Sequence, residues 1–153
     1  MRLLRILALA LAVAATLTPL AHVLELPNKL RLDGALWLAV QQHLYNGWGP
    51  FIGGPAEIGG LLVSLALLVA PRSGPVRLLH LASALCYVAM LLCFFLLNDP
   101  VNQALRDWTP AALPGDWRNY RLKWEVGHAL AAVFAILALT TTVFAGTRRR
   151  AAP

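Results

Sequence analysis

The sequence predicts an all-α fold, a polytopic membrane four-helix bundle, on three observations. Of its 153 residues, 59% are hydrophobic and only 13% are charged, whereas an average soluble domain has about 25% charged residues. Four apolar segments are each close to the ~20 residues that cross a hydrocarbon core. Basic residues also cluster at the ends of these segments. We therefore expect residues 1–153 to form one membrane domain.

The predicted spans are separated by one short and two long connections. They comprise residues 3–23, 51–70, 76–97 and 124–145. The first span has a basic start and an Ala-rich core, so a signal peptide is the alternative interpretation. Its apolar run continues into "HVLELPNKL" without a clean cleavage site, which favours a span. The short connection "PRSGPVR" makes the second and third spans antiparallel neighbours.

The charges predict how the bundle is oriented. Arginines without intervening acids lie at the three ends that four crossings place on one side: Arg2, Arg5, Arg72, Arg77, Arg148, Arg149 and Arg150. All seven carboxylates lie toward the other side. The positive-inside bias then predicts a cell-membrane protein whose N- and C-termini are both cytoplasmic. The pI of about 10.2 is thus a sign of topology, and we expect no nucleic-acid partner.

The first outer connection, residues 24–50, is expected to contain an amphipathic helix. Asp33 is placed to cap it, and the helix should run to about Asn46. Gly47 then stands where a helix end favours glycine. Pro50 predicts at least a bend after it. The pattern leaves open whether residues 34–70 form one kinked helix or two.

The second outer connection, residues 98–123, should contain an interfacial helix. Asp99 followed by Pro100 is typical of a helix start. Trp108, Trp117 and Tyr120 are expected at headgroup level. We expect Asp116 to cap a fourth helix that begins at Trp117 and runs ~30 residues (~45 Å) to the final arginines.

Polar residues recur at one depth on four helices. Arg121, Glu125 and His128 share one face of the fourth helix, because they are four and three residues apart. At ~1.5 Å per residue, His22, Glu57, Asn98 and His128 lie ~22–31 Å from the cytoplasmic arginines. Ionisable groups in a membrane usually face a partner or a water-filled cavity. We therefore predict a shared polar pocket, although an Arg121–Glu125 ion pair with a snorkelling histidine is the simpler alternative.

The same residues include a candidate ligand set for a metal ion: His22, Glu25, Glu57, Glu125 and His128. A di-iron carboxylate bundle uses Glu-x-x-His pairs on two helices and a Glu from each of two others, which this chain matches only in part. Two histidines and one carboxylate also suit a mononuclear iron site. The cofactor is undetermined, with iron, copper or zinc as candidates and a metal-free network as the alternative.

The remaining histidines and cysteines give weaker signals. Cys86 and Cys93 are seven residues apart, which suits packing better than redox or zinc chemistry. His43, on the outer amphipathic helix, could join the polar pocket or face water, and the pattern favours water. His80 lies toward the cytoplasmic end, where a paired or snorkelling side chain is expected.

The C-terminal third contains a recognisable pattern. "NDPVNQALRDW" followed by "DWRNYRLKWEVGHAL" resembles the pattern of the anthrone oxygenase-like family of small four-helix membrane proteins. The matching positions are Asn98, Pro100, Asn102, Trp108, Trp117, Arg121, Trp124 and His128. The resemblance implies a four-helix membrane bundle and, as in the characterised members, oxygen-dependent oxidation of an anthrone to an anthraquinone.

We accordingly expect an oxidoreductase or oxygenase acting at an outer-leaflet polar site on a lipophilic, aromatic or quinone-like substrate. His128 or His22 would be the base, and Arg121 with Asn98 would stabilise the oxyanion. The expected substrate-binding residues are Trp108, Trp117, Trp124, Asn102 and Tyr45. A binding or transport-accessory protein without turnover is the alternative, and a structural bundle is a third. Partners are the lipid bilayer and a lipophilic small molecule, with a homo-oligomer left open.

Overall fold

Four long helices and several short helical segments make up the protein. The computed structural model describes residues 2–71 and 73–148. The α-helices are α1 (Arg2–Lys29), α2 (Gly34–Ala39), α3 (Gly54–Val69), α4 (Gly74–Cys93), α5 (Asp99–Ala104) and α6 (Trp117–Thr147). Three π-helical segments are π1 (Val40–Leu44), π2 (Gly49–Gly53) and π3 (Phe94–Asn98).

The helices are long and apolar enough to cross a membrane four times, as predicted. The four runs are Arg2–Lys29, Gly34–Val69, Gly74–Ala104 and Trp117–Thr147, and the described ranges contain no β-strand. Each run is longer than the predicted span, because helical hydrogen bonding continues into sequence where hydropathy falls. The chain is therefore an all-helical, multi-pass membrane protein whose architecture fits a four-helix bundle.

The long helices pack in a ring, in which α1 and α4 each contact both α3 and α6. Small side chains allow α1 and α6 to approach closely: Ala12 and Ala15 on α1, and Ala135 and Ala138 on α6, are almost fully buried. Helices in lipid associate through such small residues, because lipid provides no hydrophobic drive between them. At the α3–α4 contact, Gly60 leaves room for the Tyr87 ring, which a Cβ would overlap.

Buried hydroxyl groups link three helices in the half of the bundle nearer the termini. Ser83 Oγ lies 3.3 Å from Ser64 Oγ and 3.1 Å from Thr142 Oγ1. Each group is almost completely buried. These contacts fix the register of α3, α4 and α6.

The opposite end of the bundle, which we call the capped end, is covered by α2, π1 and residues 105–116. Here α1 continues through Pro27 to Lys29, so the connection predicted to start at residue 24 begins later. Asp33 accepts a hydrogen bond from the Leu36 backbone at 2.8 Å, as expected of a cap. Gly47 has φ +89°, which ends the first helical part as predicted. Helical structure resumes at Trp48, so the region contains two helical parts.

One predicted helix start was wrong, and one predicted capping hydrogen bond does not form. Asp99 does not begin a separate interfacial helix, because its backbone N–H bonds to Phe94 O and the helix runs on from α4 through π3 into α5. The wider hydrogen-bond spacing of a π segment accommodates Pro100, which has no N–H to donate. Asp116 precedes α6 as predicted, but its side chain makes no capping hydrogen bond.

The end of the bundle away from the cap bears Arg2, Arg5, Arg77 and Arg148. Arg72, Arg149 and Arg150, which contributed to the predicted orientation, lie outside the described residues. The placement of both termini in the cytoplasm therefore remains a prediction.

Candidate functional site

A cavity of about 880 Å³ enters the capped end between the long helices. All three π segments line it, through Gln41 of π1, Gly53 of π2 and Asn98 of π3 among others. A π turn changes the direction of the side chains that follow it, and such turns are frequent at functional sites. Their convergence on one cavity marks this end of the bundle as the candidate site.

Two histidines from opposite ends of the sequence meet at this cavity. The rings of His22 on α1 and His128 on α6 are nearly perpendicular, with centroids 4.3 Å apart. Tyr45 and Trp124 also surround His22, at centroid distances of 4.5 and 4.7 Å. Because His22 is only 3% exposed, this imidazole lies in an aromatic box and not in lipid.

Hydrogen bonds fix the ring of His128. Its Nδ1 lies 2.6 Å from Asn98 Nδ2 and 3.0 Å from the Trp124 carbonyl oxygen. Asn98 Nδ2 also donates to that carbonyl at 2.8 Å. The amide fits against Gly127, where a Cβ would overlap it. Asn98 of π3 and the backbone of α6 therefore hold one nitrogen of His128 in a fixed environment.

His22 has a different environment around its own Nδ1. This atom makes no hydrogen bond within the described residues, and Glu25 Oε2 lies 3.8 Å away. The same Oε2 accepts a 2.5 Å hydrogen bond from the Tyr45 hydroxyl. The Glu25 carboxylate therefore lies close to His22, and Tyr45, the residue that follows π1, holds it in place.

A buried ion pair lies next to the Trp124 ring, outside the cavity lining. Lys29 Nζ donates to Glu125 Oε2 at 2.8 Å, and both side chains are buried. The Lys29 ammonium also lies 4.9 Å from the centroid of the Trp124 ring. The alternative Arg121–Glu125 ion pair was wrong, because Arg121 instead donates to the Leu32 carbonyl at 3.1 Å and stacks on Trp117.

Comparison with known proteins identifies the family. The sequence model described as anthrone oxygenase matches residues 42–141. The chain belongs to the anthrone oxygenase family. No curated protein matches the chain significantly. No solved structure matches it significantly either.

The part matched to the anthrone oxygenase family contains most of the cavity but not all of it. Tyr45, Asn98, Trp124 and His128 fall within the match, while α1, which supplies His22, precedes it. The resemblance seen in the C-terminal third is thus confirmed over a longer stretch. The site of this anthrone oxygenase family member combines the matched region with an additional helix.

The structure brings some of the predicted site residues to the cavity and separates others. The cavity lining includes His22, Tyr45, Glu57, Asn98, Asn102, Trp124 and His128. Trp124 Nε1 donates to Asn102 Oδ1 at 2.9 Å, which ties α6 to α5. Trp108, Trp117 and Arg121 are not in the lining: Trp108 packs on Tyr120, and Trp117 packs on Trp37. Their predicted contact with substrate is therefore not supported by this arrangement.

The predicted metal ligands do not form a ligand set. Among residues 2–71 and 73–148, no group of three or more His, Cys, Asp or Glu side chains is placed to hold a metal ion. Lys29 occupies the Glu125 carboxylate, and Tyr45 occupies Glu25. Glu57 lines the cavity but makes no hydrogen bond with the described residues. The donors therefore do not fit the proposed iron, copper or zinc site.

Three residues near the site were missed at the sequence level. Trp48 lies 5.5 Å from the His22 ring centroid. Gln41 is buried and lines the cavity, with Nε2 lacking a hydrogen-bond partner in the described ranges. Lys29 follows Glu25 by four residues, a spacing that places both on one helical face if α1 passes Pro27. Gln41, Tyr45 and Trp48 are likewise four and three residues apart, which was the available signal.

Proposed function

We propose that this anthrone oxygenase family member is a membrane-integral oxygenase that converts an anthrone-type aromatic ketone to the corresponding quinone in the cavity at the capped end. In this reaction the ring CH₂ group becomes a carbonyl and one O₂ is consumed. One oxygen atom enters the product and the other leaves as water, which carries away both hydrogens of the CH₂ group.

The observation that carries the proposal is the His22–His128 pair in an aromatic cavity, with His22 buried and His128 half-buried. Anthrone oxidation begins when a base takes a proton from the CH₂ group, and an imidazole is suited to that step near neutral pH. The electron pair left behind delocalises onto the ketone oxygen. A donor at that oxygen lowers the energy of the anion, which then transfers electrons to O₂ and forms the new carbon–oxygen bond. Loss of water from the resulting hydroperoxide leaves the carbonyl.

The cavity suits a flat, lipophilic substrate. Its volume of about 880 Å³ falls within the range of small-molecule sites, ~300–1,000 Å³. Trp48, Phe94 and Trp124 supply aromatic walls. Ile58 and Phe95 line the cavity and are also 51% and 60% exposed on the apolar flank of the bundle. We infer that the substrate enters sideways from the bilayer between α3 and π3.

The arginine distribution supports an orientation with both termini in the cytoplasm and the cavity toward the outer leaflet of the cell membrane. A cysteine introduced at exposed Asp107 is expected to react with an impermeant maleimide in intact cells, and one at exposed Ala111 should do the same. A cysteine that replaces exposed Arg5, at the opposite end of the bundle, should react with the maleimide only after the cells are lysed. The reverse pattern would overturn the orientation.

The reaction can be tested with ¹⁸O₂ and detergent-purified protein. With a hydroxyanthrone as substrate, we expect anthraquinone formation above the rate of heat-denatured protein, with one ¹⁸O atom per product molecule. Argon should abolish it. Saturable binding without product would instead indicate the alternative, a binding or transport-accessory protein that uses the same cavity.

A further inference from the structure

The two histidines of the cavity differ in what faces their Nδ1 atoms. His128 Nδ1 faces the side-chain amide of Asn98, whereas His22 Nδ1 faces the carboxylate of Glu25. An imidazole takes its tautomer from the partner of one nitrogen, and this decides whether the other nitrogen donates or accepts. The partners of Nδ1 therefore assign a role to each ring.

The orientation of the Asn98 amide follows from the Trp124 carbonyl. The amide atom nearest that carbonyl lies 2.8 Å from it, so it must be the NH₂ group, because two acceptors would repel at this distance. The same nitrogen lies 2.6 Å from His128 Nδ1. An amide nitrogen has no lone pair to offer, and at 2.6 Å the two nitrogens cannot both carry a hydrogen between them. This contact is shorter than the 3.0 Å from Nδ1 to the Trp124 carbonyl oxygen, so it decides the assignment and Nδ1 is the acceptor. Neutral His128 therefore carries its hydrogen on Nε2.

The Asn98 amide has little freedom to leave this arrangement. Its side chain is 3% exposed and lies in the space that Gly127 leaves by having no Cβ. Protonating His128 on Nδ1 would place two N–H donors face to face and break the Asn98 bond. The Asn98 contact therefore favours a neutral His128 ring that donates a hydrogen bond from Nε2.

His22 has the complementary arrangement. A proton gained by His22 would produce an imidazolium whose Nδ1 lies 3.8 Å from the Glu25 carboxylate. The Tyr45 hydroxyl holds that carboxylate in position. Glu25 is therefore the acceptor that a hydrogen on His22 Nδ1 would face, which leaves Nε2 of His22 free to take a proton.

We propose that His22 is the base and His128 is the hydrogen-bond donor to the substrate ketone oxygen, with Asn98 as the positioning residue that fixes the His128 tautomer. This assignment rests on the proposed function. His22 takes a proton as the C–H bond of the CH₂ group breaks, and the electron pair moves to the ketone oxygen. His128 Nε2–H stabilises that oxygen without transferring its proton. O₂ remains the oxidant, and it is reduced in the following step.

The tautomer can be measured without turnover. We would record ¹⁵N NMR spectra of the full chain, labelled at histidine, in detergent micelles at a pH where the rings are neutral. The His128 signals are those missing from His128→Gln. We expect Nε2 to be protonated and Nδ1 to be unprotonated in the wild type. The opposite assignment would overturn the proposal, whether or not the protein oxidises an anthrone.

Substitution of Asn98 should switch the tautomer. In Asn98→Ala the remaining partner of Nδ1 is the Trp124 carbonyl at 3.0 Å, an acceptor, so the hydrogen should move to Nδ1. Asn98→Asp should cause the same switch, which guards against poor folding of either variant. Asn102→Ala is the matched control, since Asn102 contacts the Trp124 indole and not His128. It should keep the wild-type tautomer. An unchanged tautomer in both Asn98 variants would contradict the positioning role.

Activity provides a second readout of the two roles. Asn98→Ala turns Nε2 into an acceptor, so kcat should fall about 10²-fold, as when an oxyanion donor is removed. With deuterated solvent under argon, exchange at the CH₂ group reports proton removal alone. His22→Gln should abolish this exchange down to the background, and imidazole added to His22→Ala should restore part of it. Imidazole rescue of His128→Ala but not of His22→Ala would reverse the assignment.

Discussion

Lys29 and Glu125 form an ion pair with an Nζ–Oε2 distance of 2.8 Å, although 96 positions separate them in the sequence. The pair joins the last turn of α1 to the third turn of α6. It also brings a positive charge over the Trp124 ring. The ion pair therefore joins the two helices that carry His22 and His128.

Breaking the ion pair should destabilise the bundle. Lys29→Met leaves Glu125 buried without its counter-ion, so we expect a loss of ~3–5 kcal/mol of folding stability. Thermal unfolding in detergent, followed by circular dichroism, measures the change. The double variant Lys29→Met/Glu125→Leu should recover much of the loss, because no unpaired charge remains. Wild-type stability in the single variant would contradict a buried ion pair.

Gly127 should tolerate no side chain. In Gly127→Ala the added Cβ would overlap the Asn98 amide, so we expect a lower melting temperature and a changed His128 signal in the ¹⁵N NMR spectrum. Gly146→Ala is the matched control on the same helix, since nothing lies within 4 Å of a Cβ there. Equal melting temperatures for the two variants would show that α6 and π3 are not in close contact at this point.

The Tyr45 hydroxyl should stabilise the fold and hold the Glu25 carboxylate in place near His22. Tyr45→Phe removes a 2.5 Å hydrogen bond to Glu25 without removing the ring, so we expect a loss of ~1.5–3 kcal/mol, as for other hydrogen bonds to charged groups. Tyr120→Phe serves as the control, because that hydroxyl makes no hydrogen bond with the described residues. If Tyr45→Phe and Tyr120→Phe unfold at the same temperature, Glu25 is not held as described.

Chelation should leave the protein unchanged. Glu125 and Glu25 are engaged with Lys29 and Tyr45, and in residues 2–71 and 73–148 no three His, Cys, Asp or Glu side chains are grouped to hold a metal ion. Extended dialysis against a chelator is therefore expected to alter neither the melting temperature nor the rate of anthrone oxidation. Element analysis before and after dialysis provides the control. Loss of activity together with loss of a stoichiometric metal, restored by adding that metal back, would contradict this expectation.

The number and order of the membrane helices followed from sequence, because hydropathy depends on composition over ~20 residues and not on packing. The shared polar layer also followed for His22, Asn98 and His128, since charged or polar groups at equal depth must find each other or a cavity. The distance of each residue from the arginine clusters predicted their common depth in the membrane. Hydropathy and depth in the membrane each depend on one segment of the chain at a time, so the sequence alone predicts them.

Partner choice could not be derived in the same way. Glu125 has Arg121 one turn earlier on its own helix, yet it pairs with Lys29, because α1 passes Pro27 without breaking and delivers the ammonium to α6. Asn98, the last residue of π3, contacts His128. A π segment changes the direction in which the side chains after it point, and no simple sequence pattern predicts where such a segment forms. The separate helix predicted from Asp99 and the capping hydrogen bond predicted for Asp116 were wrong, because capping depends on backbone geometry as well as residue type.

The rate of anthrone-dependent oxygen uptake by matched histidine variants tests the central claim most directly. We would compare wild type, His22→Gln, His128→Gln and His43→Gln in the same detergent, after confirming equal helicity. The account predicts a loss of at least about 10²-fold for His22→Gln and His128→Gln. The His43→Gln rate should fall far less, since His43 lines the cavity only at its exposed side, on π1, and is not part of the His22–His128 pair. Wild-type rates in His22→Gln and His128→Gln alike would contradict the claim that this cavity performs the reaction.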